Sequence, residues 1–217
     1  MAMSADDRIE RARALYERAV YGGDAGGLAE AERDLDAVEA DTALARGRIL
    51  HARYQIGSGA AEDPAELPLF ERAAELYRSL GDVRGEAEAS FWVGCLHQFI
   101  RRDDEIALPH LERSRRLAAE AGDKRTESEA LRHLGIAAHA AGRLTEARTR
   151  LEESSRLRRE SGSMPGVAAN LVGLAYIAAA QDRRTDALGT LDEARAIAEA
   201  HGAHAVLQHI EQARAAI

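Results

Sequence analysis

A thiol beside an imidazole can make a nucleophile and its base. The chain's single cysteine, Cys95, has His139 as its candidate partner across neighbouring helices. The competing reading of Cys95 is a small apolar residue in a tight helical wall. Arg132 is the second candidate, because a guanidinium can meet a carboxylate or phosphate through two parallel hydrogen bonds. Its alternative is an ion pair with Glu88 or Glu129. His201, His204 and His209 gather near the C-terminus, but the turn at Gly202 separates His201 from the other two. No cysteine or carboxylate completes a zinc set at helical spacing, so no metal is expected. His133 and His139 are six residues apart, too far around a helix to chelate together, and Glu152–Glu153 sits on a solvated face. There is no phosphate-binding loop, no dinucleotide glycine fingerprint and no Gly-x-Ser-x-Gly elbow. No catalytic residue and no cofactor is therefore assigned.

The elements that would position these groups are helices. The composition is rich in Ala, Leu, Arg and Glu, only 4% aromatic, and has four prolines in 217 residues. Such side chains lose little rotamer freedom in a helix. The sequence also repeats itself. Glu88–Gly94 aligns with Glu129–Gly135 at a shift of 41, and Leu111–Ser114 aligns with Leu151–Ser154 and, more loosely, Leu191–Ala194 at a shift of 40. Each unit closes on a glycine: Gly81, Gly122, Gly162 and Gly202. A glycine in the left-handed conformation just past a helix is a common way to end it. Pro68 and Pro109 fall early in corresponding helices, which either begin late or bend there. Asp63 followed by Pro64 reads as a helix start, after a connection through Gly57-Ser58-Gly59.

Within a unit, Leu131, Leu134, Gly135 and Ala138 precede Ala147, Leu151 and Ser154; the next unit has Leu171, Leu174, Ala175 and Ala178, then Ala187, Leu191 and Ala194. This small–large pattern resembles the tetratricopeptide repeat over nearly the whole chain. Units near 40 residues are similar to the C-terminal repeats of large bacterial transcriptional activators. The usual unit is shorter, about 34 residues. Leu131 and Leu171 stand where that family has an aromatic, and its closing proline is absent. The expected fold is all-α: a right-handed α-solenoid of about five antiparallel pairs, about eleven helices. It forms a single domain over 1–217, with pairs at 6–40, 41–82, 83–123, 124–163 and 164–202 and a capping helix at 203–217.

The resemblance implies that the first helix of each pair lines a concave wall. It points Phe91, Trp92, Cys95, Gln98 and Phe99 inward from the third pair, Arg132, His133, Ile136, His139 and Ala140 from the fourth, and Val172, Gly173, Tyr176, Ala179 and Ala180 from the fifth. Arg48, His51, Ala52 and Tyr54 are the candidates from the second pair. Rare aromatics thus converge on one wall with cationic groups between them, a usual make-up for a binding site. The bland alternative for Trp92 is packing between helices. His97 is expected to be a buried, hydrogen-bonded core residue.

The formal net charge is −8, and the paired arginines sit among acids, which argues against nucleic acid and anionic membrane as partners. Met1–Arg8 has no apolar leader core, and no stretch nears the roughly 20 apolar residues that span a bilayer. The cytoplasm is the expected location. The leading expectation is a protein- or peptide-binding adaptor that uses its concave groove. A small-molecule binder with a mixed apolar and cationic pocket, taking for example an acidic ligand and in one version acting as an enzyme of an unusual kind, is the second. A homodimer paired through Val206, Leu207 and Ile210 of the last helix is the third.

Overall fold

Aspartates and glycines punctuate the chain where the helices turn. The computed structural model describes residues 3–57 and 61–217, and Ser58 and Gly59 of the expected long connection lie outside them. Among the described residues there are ten α-helices and no strands: α1 (Ala5–Gly22), α2 (Leu28–Ile56), α3 (Glu66–Leu80), α4 (Val83–Phe99), α5 (Asp104–Glu120), α6 (Lys124–Ala140), α7 (Leu144–Glu160), α8 (Met164–Ala179), α9 (Arg184–Ala200) and α10 (His204–Ala216). Gly81, Gly122, Gly162 and Gly202 all have positive φ, from 62° to 75°. The turn inside each pair uses the same conformation at Arg102, Gly142 and Asp182, spaced 40 apart. Asp82, Asp103 and Asp123 then cap the next helices by accepting from backbone N–H groups, which satisfies donors a helix start leaves unpaired.

The helix count is one short of the expected eleven. Residues 41–56 continue the helix begun at Leu28 and do not start a new one. No glycine or proline lies between Leu28 and Arg46 to break it. Its start packs on α1, where Glu30 and Asp34 meet Arg11, and from Glu39 onward it meets α3, where Glu39 pairs with Arg72 and Asp41 accepts from Tyr77. The two prolines differ in effect. Pro68 is the third residue of α3, where no donor is needed, so that helix begins late. Pro109 is the sixth residue of α5, which carries through it. Asp63 caps the turn before α3 rather than the helix itself, accepting from Ala65 N at 2.9 Å.

The helices stack in sequence order as an α-solenoid. First helices of successive pairs touch: α2 with α4, α4 with α6, α6 with α8, and α8 with α10. The backbones of α3, α5, α7 and α9 stand further apart, and these helices meet through long side chains, as where Arg150 of α7 pairs with Glu112 of α5 at 2.8 Å and Arg159 of α7 with Glu193 of α9 at 3.5 Å. The inner helices therefore crowd together and the outer ones splay, which makes the α2–α4–α6–α8 side concave. The 40-residue period reappears in the core. Leu111, Leu151 and Leu191 are buried, as are Ala107, Ala147 and Ala187. Each buried leucine contributes about 2 kcal/mol of apolar burial. They press against small residues on the facing helix. A Cβ added at Gly94 would lie 2.7 Å from Leu111 Cγ, and one at Gly135 3.1 Å from Leu151 Cγ.

The last helix does not present the apolar face expected of a dimer contact. Ile210 is fully buried, and Val206 and Leu207 pack half-buried on the α8–α9 core. The large exposed apolar side chains instead concentrate at the other end, at Ile9, Tyr16, Val20, Tyr21, Leu28 and Leu35. No described helix is long and apolar enough to cross a membrane.

Candidate functional site

Three cavities run along the concave wall, and each of the ten candidate residues borders at least one. The largest, about 760 Å³, is lined by Phe91, Trp92, Cys95 and Phe99 of α4, by Arg132 and His133 of α6, and by Arg48, Ile49 and Ala52 of α2. A second, about 310 Å³, lies between α6, α8 and α10 and takes in Arg132, Ile136, His139 and Tyr176. A third, about 190 Å³, is bordered by Gln98, Phe99 and Ile136. The first two share Arg132 and His209. Arg132 therefore stands where one opens towards the other, with the α10 imidazole beside it.

The aromatic floor serves both packing and lining. Trp92 is half-buried and stacks on Phe70 with centroids 5.7 Å apart, while Phe91 meets it edge-on at 5.1 Å. Both Trp92 readings thus apply to one side chain: one part packs between helices and another borders the cavity. The Arg48 guanidinium lies 5.8 Å over the indole. Trp92 Nε1 is buried with no acceptor among the described residues. His133 is buried among Phe91 and Phe99, each about a ring's width away at 5.0 Å. Its Nδ1–H donates to Gln98 Oε1 at 2.9 Å, and the Gln98 amide donates to His133 O and to Asp104. Burial, with Arg132 and Arg158 nearby, holds the His133 pKa down at about 3, so this imidazole is a neutral wall of the site.

Charge is unevenly paired here. Glu88 takes Arg48 at 3.2 Å, and Glu129 takes Arg158 at 2.5 Å. Arg132 therefore forms neither of the ion pairs expected for it. Its Nη1 donates to Ala169 O at 2.9 Å and to Asn170 Oδ1 at 3.1 Å, both neutral acceptors. Asn170 is itself held by Ser154 and Ser155 of α7. Among the described residues no carboxylate lies within ion-pair distance of Arg132. Burial and then Arg158 lower its pKa to about 10, against the pull of Glu129. A guanidinium held half-buried without a counter-ion favours an anion arriving from the cavity.

Two histidine expectations are corrected. The imidazole beside Cys95 is His51 of α2, whose Nε2 lies 3.7 Å from the sulfur. His139 faces the smaller cavity from the far end of α6, because residues 95 and 139 sit on different stretches of the wall. His97 is buried, but its Nδ1 has no hydrogen-bond partner among the described residues, and the ring stacks on His110 at 6.4 Å. Of the second-pair candidates, Arg48 and Ala52 line the large cavity, His51 is buried behind its wall, and Tyr54 does not border it. Sequence reasoning missed Ile49, Gln55, Arg125 and Gln212 as lining residues, and His209 as one that reaches both cavities. The position of α10 as one more inner helix was the available signal for His209. Among the described residues no group of histidine, cysteine and carboxylate side chains is arranged to hold a metal ion. No protein-family model matches the chain, and no curated protein matches it in sequence.

Proposed function

We propose that the chain is a binding module of the tetratricopeptide kind that takes a carboxylate-bearing peptide or protein tail along its concave groove. The observation that carries this reading is Arg132. It sits at the junction of the 760 and 310 Å³ cavities with only neutral hydrogen-bond partners. Arg125, exposed on the rim of the larger cavity, adds a second cation. Phe91, Trp92 and Phe99 supply apolar contact on one side of Arg132, and Ile136 and Tyr176 supply it on the other. An extended ligand would lay side chains into both cavities and place its carboxylate between them. Aromatic and arginine side chains are the usual energetic anchors of such surfaces.

A second reading, a small acidic molecule, draws on the smaller cavity. Its 310 Å³ falls within the span of small-ligand pockets, about 300–1,000 Å³. One experiment separates the two. Calorimetry and thermal shift are run with acidic peptides and small dicarboxylates on the wild type, Arg132→Ala and Phe99→Ala. A peptide whose effect vanishes in both variants supports the groove. A dicarboxylate that needs Arg132 but tolerates Phe99→Ala supports the small cavity. Stabilisation that survives Arg132→Ala sinks both.

A further inference from the structure

Behind the aromatic wall, three side chains from three helices form a line. His51 of α2 is 2% exposed, Glu66 at the start of α3 is fully buried, and Cys95 of α4 is 3% exposed. His51 Nδ1 lies 2.8 Å from Glu66 Oε1, and its Nε2 lies 3.7 Å from Cys95 Sγ. The Gln55 side-chain nitrogen also approaches that Nε2, at 3.1 Å. An amide NH2 group only donates, so Nε2 is an acceptor and the ring proton is on Nδ1, where Glu66 receives it. This is the tautomer a general base needs, with a carboxylate behind it and a thiol in front. Cys95 is also part of the wall of the 760 Å³ cavity. One turn earlier on the same helix, Trp92 also borders that cavity, with its indole N–H buried and without an acceptor among the described residues.

A purely structural cluster would have little reason to keep these groups. Glu66 is buried with Oε2 unpartnered among the described residues, and burial raises its pKa. A leucine in its place would avoid that cost. Burial also pushes the Cys95 thiol well above its ordinary range, with Glu129 and Glu66 adding to the effect. The resting sulfur is therefore a neutral thiol, and proton transfer to imidazole must accompany attack, as it does for a serine nucleophile.

We propose that Cys95, His51 and Glu66 form a nucleophilic triad that accepts an acyl group from an activated ester or thioester bound in the large cavity. Sγ bonds to the carbonyl carbon as its proton passes to His51 Nε2. The bond from carbon to the leaving oxygen or sulfur then breaks, and the departing alcohol or thiol takes the proton from Nε2. This leaves a thioester on Cys95. Water attacks that thioester and gives a proton to Nε2. The carboxylic acid departs and Sγ recovers the proton, so the net reaction is hydrolysis with no oxidant or reductant. The Gln55 amide borders the same cavity; it leaves Nε2 as that nitrogen takes the proton, and is then the donor available to the carbonyl oxygen as it gains charge. Glu66 acts through His51 as a positioning residue.

The test is direct, because Cys95 is the only cysteine in the sequence. The full chain is mixed with 4-nitrophenyl acetate at neutral pH, and nitrophenolate release is followed alongside intact mass. The expected result is one acetyl group per chain, mapped to Cys95, formed at least about tenfold faster than on N-acetylcysteine. His51→Gln slows acylation by about a hundredfold, at a melting temperature that shows the fold is retained. Glu66→Gln, which keeps an acceptor for Nδ1–H, retains more of the rate than Glu66→Leu at matched stability. Acylation no faster than on the free thiol, or an unchanged rate in folded His51→Gln, overturns the proposal. If His51→Gln does not fold, the wild-type comparison with N-acetylcysteine decides alone. The outcome is separable from the groove reading, which the Arg132 and Phe99 variants test without thiol chemistry.

Discussion

Replacing Arg132 with methionine removes a charge but keeps a long side chain, and the structure sets the cost. Burial and Arg158 lower the guanidinium pKa from its usual range to about 10. A fall of that size means the folded chain disfavours the charged form by about 3 kcal/mol. The side chain is half-buried beside a cavity open to solvent, so screening reduces this to about 2 kcal/mol. A cation depressed in the folded state carries this penalty at every pH below about 10, neutral pH included, and the methionine variant escapes it. Against that gain stands the loss of one Nη1 shared between Ala169 O and Asn170 Oδ1, worth about 2 kcal/mol. The two nearly cancel, so Arg132→Met should unfold in urea within about 1 kcal/mol of the wild type, with unchanged m. Arg158→Met is the contrast. It strips Glu129 of its partner at 2.5 Å, but that carboxylate is about a third exposed and can turn to water, so the cost should be about 1–2 kcal/mol. A groove ligand at a hundred times its Kd should add about 2.7 kcal/mol to the wild type and nothing to Arg132→Met. A loss of 3 kcal/mol or more in Arg132→Met would make the residue a structural strut and refute the reasoning.

Other consequences can be checked by the same unfolding assay. His133 has a pKa near 3 in the folded chain against 6.5 in its unperturbed state, so the unfolded chain takes up a proton first. Its contribution is complete above pH 6.5 and is lost as pH falls towards 3, at up to about 1.4 kcal/mol per pH unit. His133→Gln should flatten that part of the acid-denaturation curve relative to wild type. Arg102 and Asp182 hold φ of 58°, so Arg102→Gly should stabilise by about 0.5–1 kcal/mol and Asp182→Gly by less, since aspartate tolerates this region better. Gly94→Ala should cost about 1–3 kcal/mol, because the new Cβ would meet Leu111 at 2.7 Å and Ala107 O at 3.2 Å. Gly189, in α9 with nothing within 4 Å of its would-be Cβ, should instead gain about 1 kcal/mol as alanine. Equal effects at the two glycines would contradict the packing described for the pairs.

Much of the fold is written locally. The period near 40, the closing glycines, the aspartate caps and the leucine and alanine positions all act within a turn or two of themselves. They can therefore be read without knowing what packs against them. The inward side of each first helix came from the resemblance to tetratricopeptide repeats, and Phe91, Phe99, Arg132, Ile136, His139 and Tyr176 all border the wall. The uninterrupted α2 was legible too, in the absence of any breaker before Arg46, but the repeat period pointed to a turn at residue 40. Partnership across helices was not legible. Arg132 could reach either of two acids by sequence spacing. Only the packed helices show both acids taken by other arginines, leaving it on Asn170. Cys95 had His139 as a neighbour in the repeat register, yet the imidazole that reaches it is His51, 44 residues earlier and backed by Glu66. A local pattern decides which face a side chain occupies. Which groups then meet across the gap depends on how far each helix is rotated and shifted against the next, and that is settled by the sum of many packing contacts in the assembled chain.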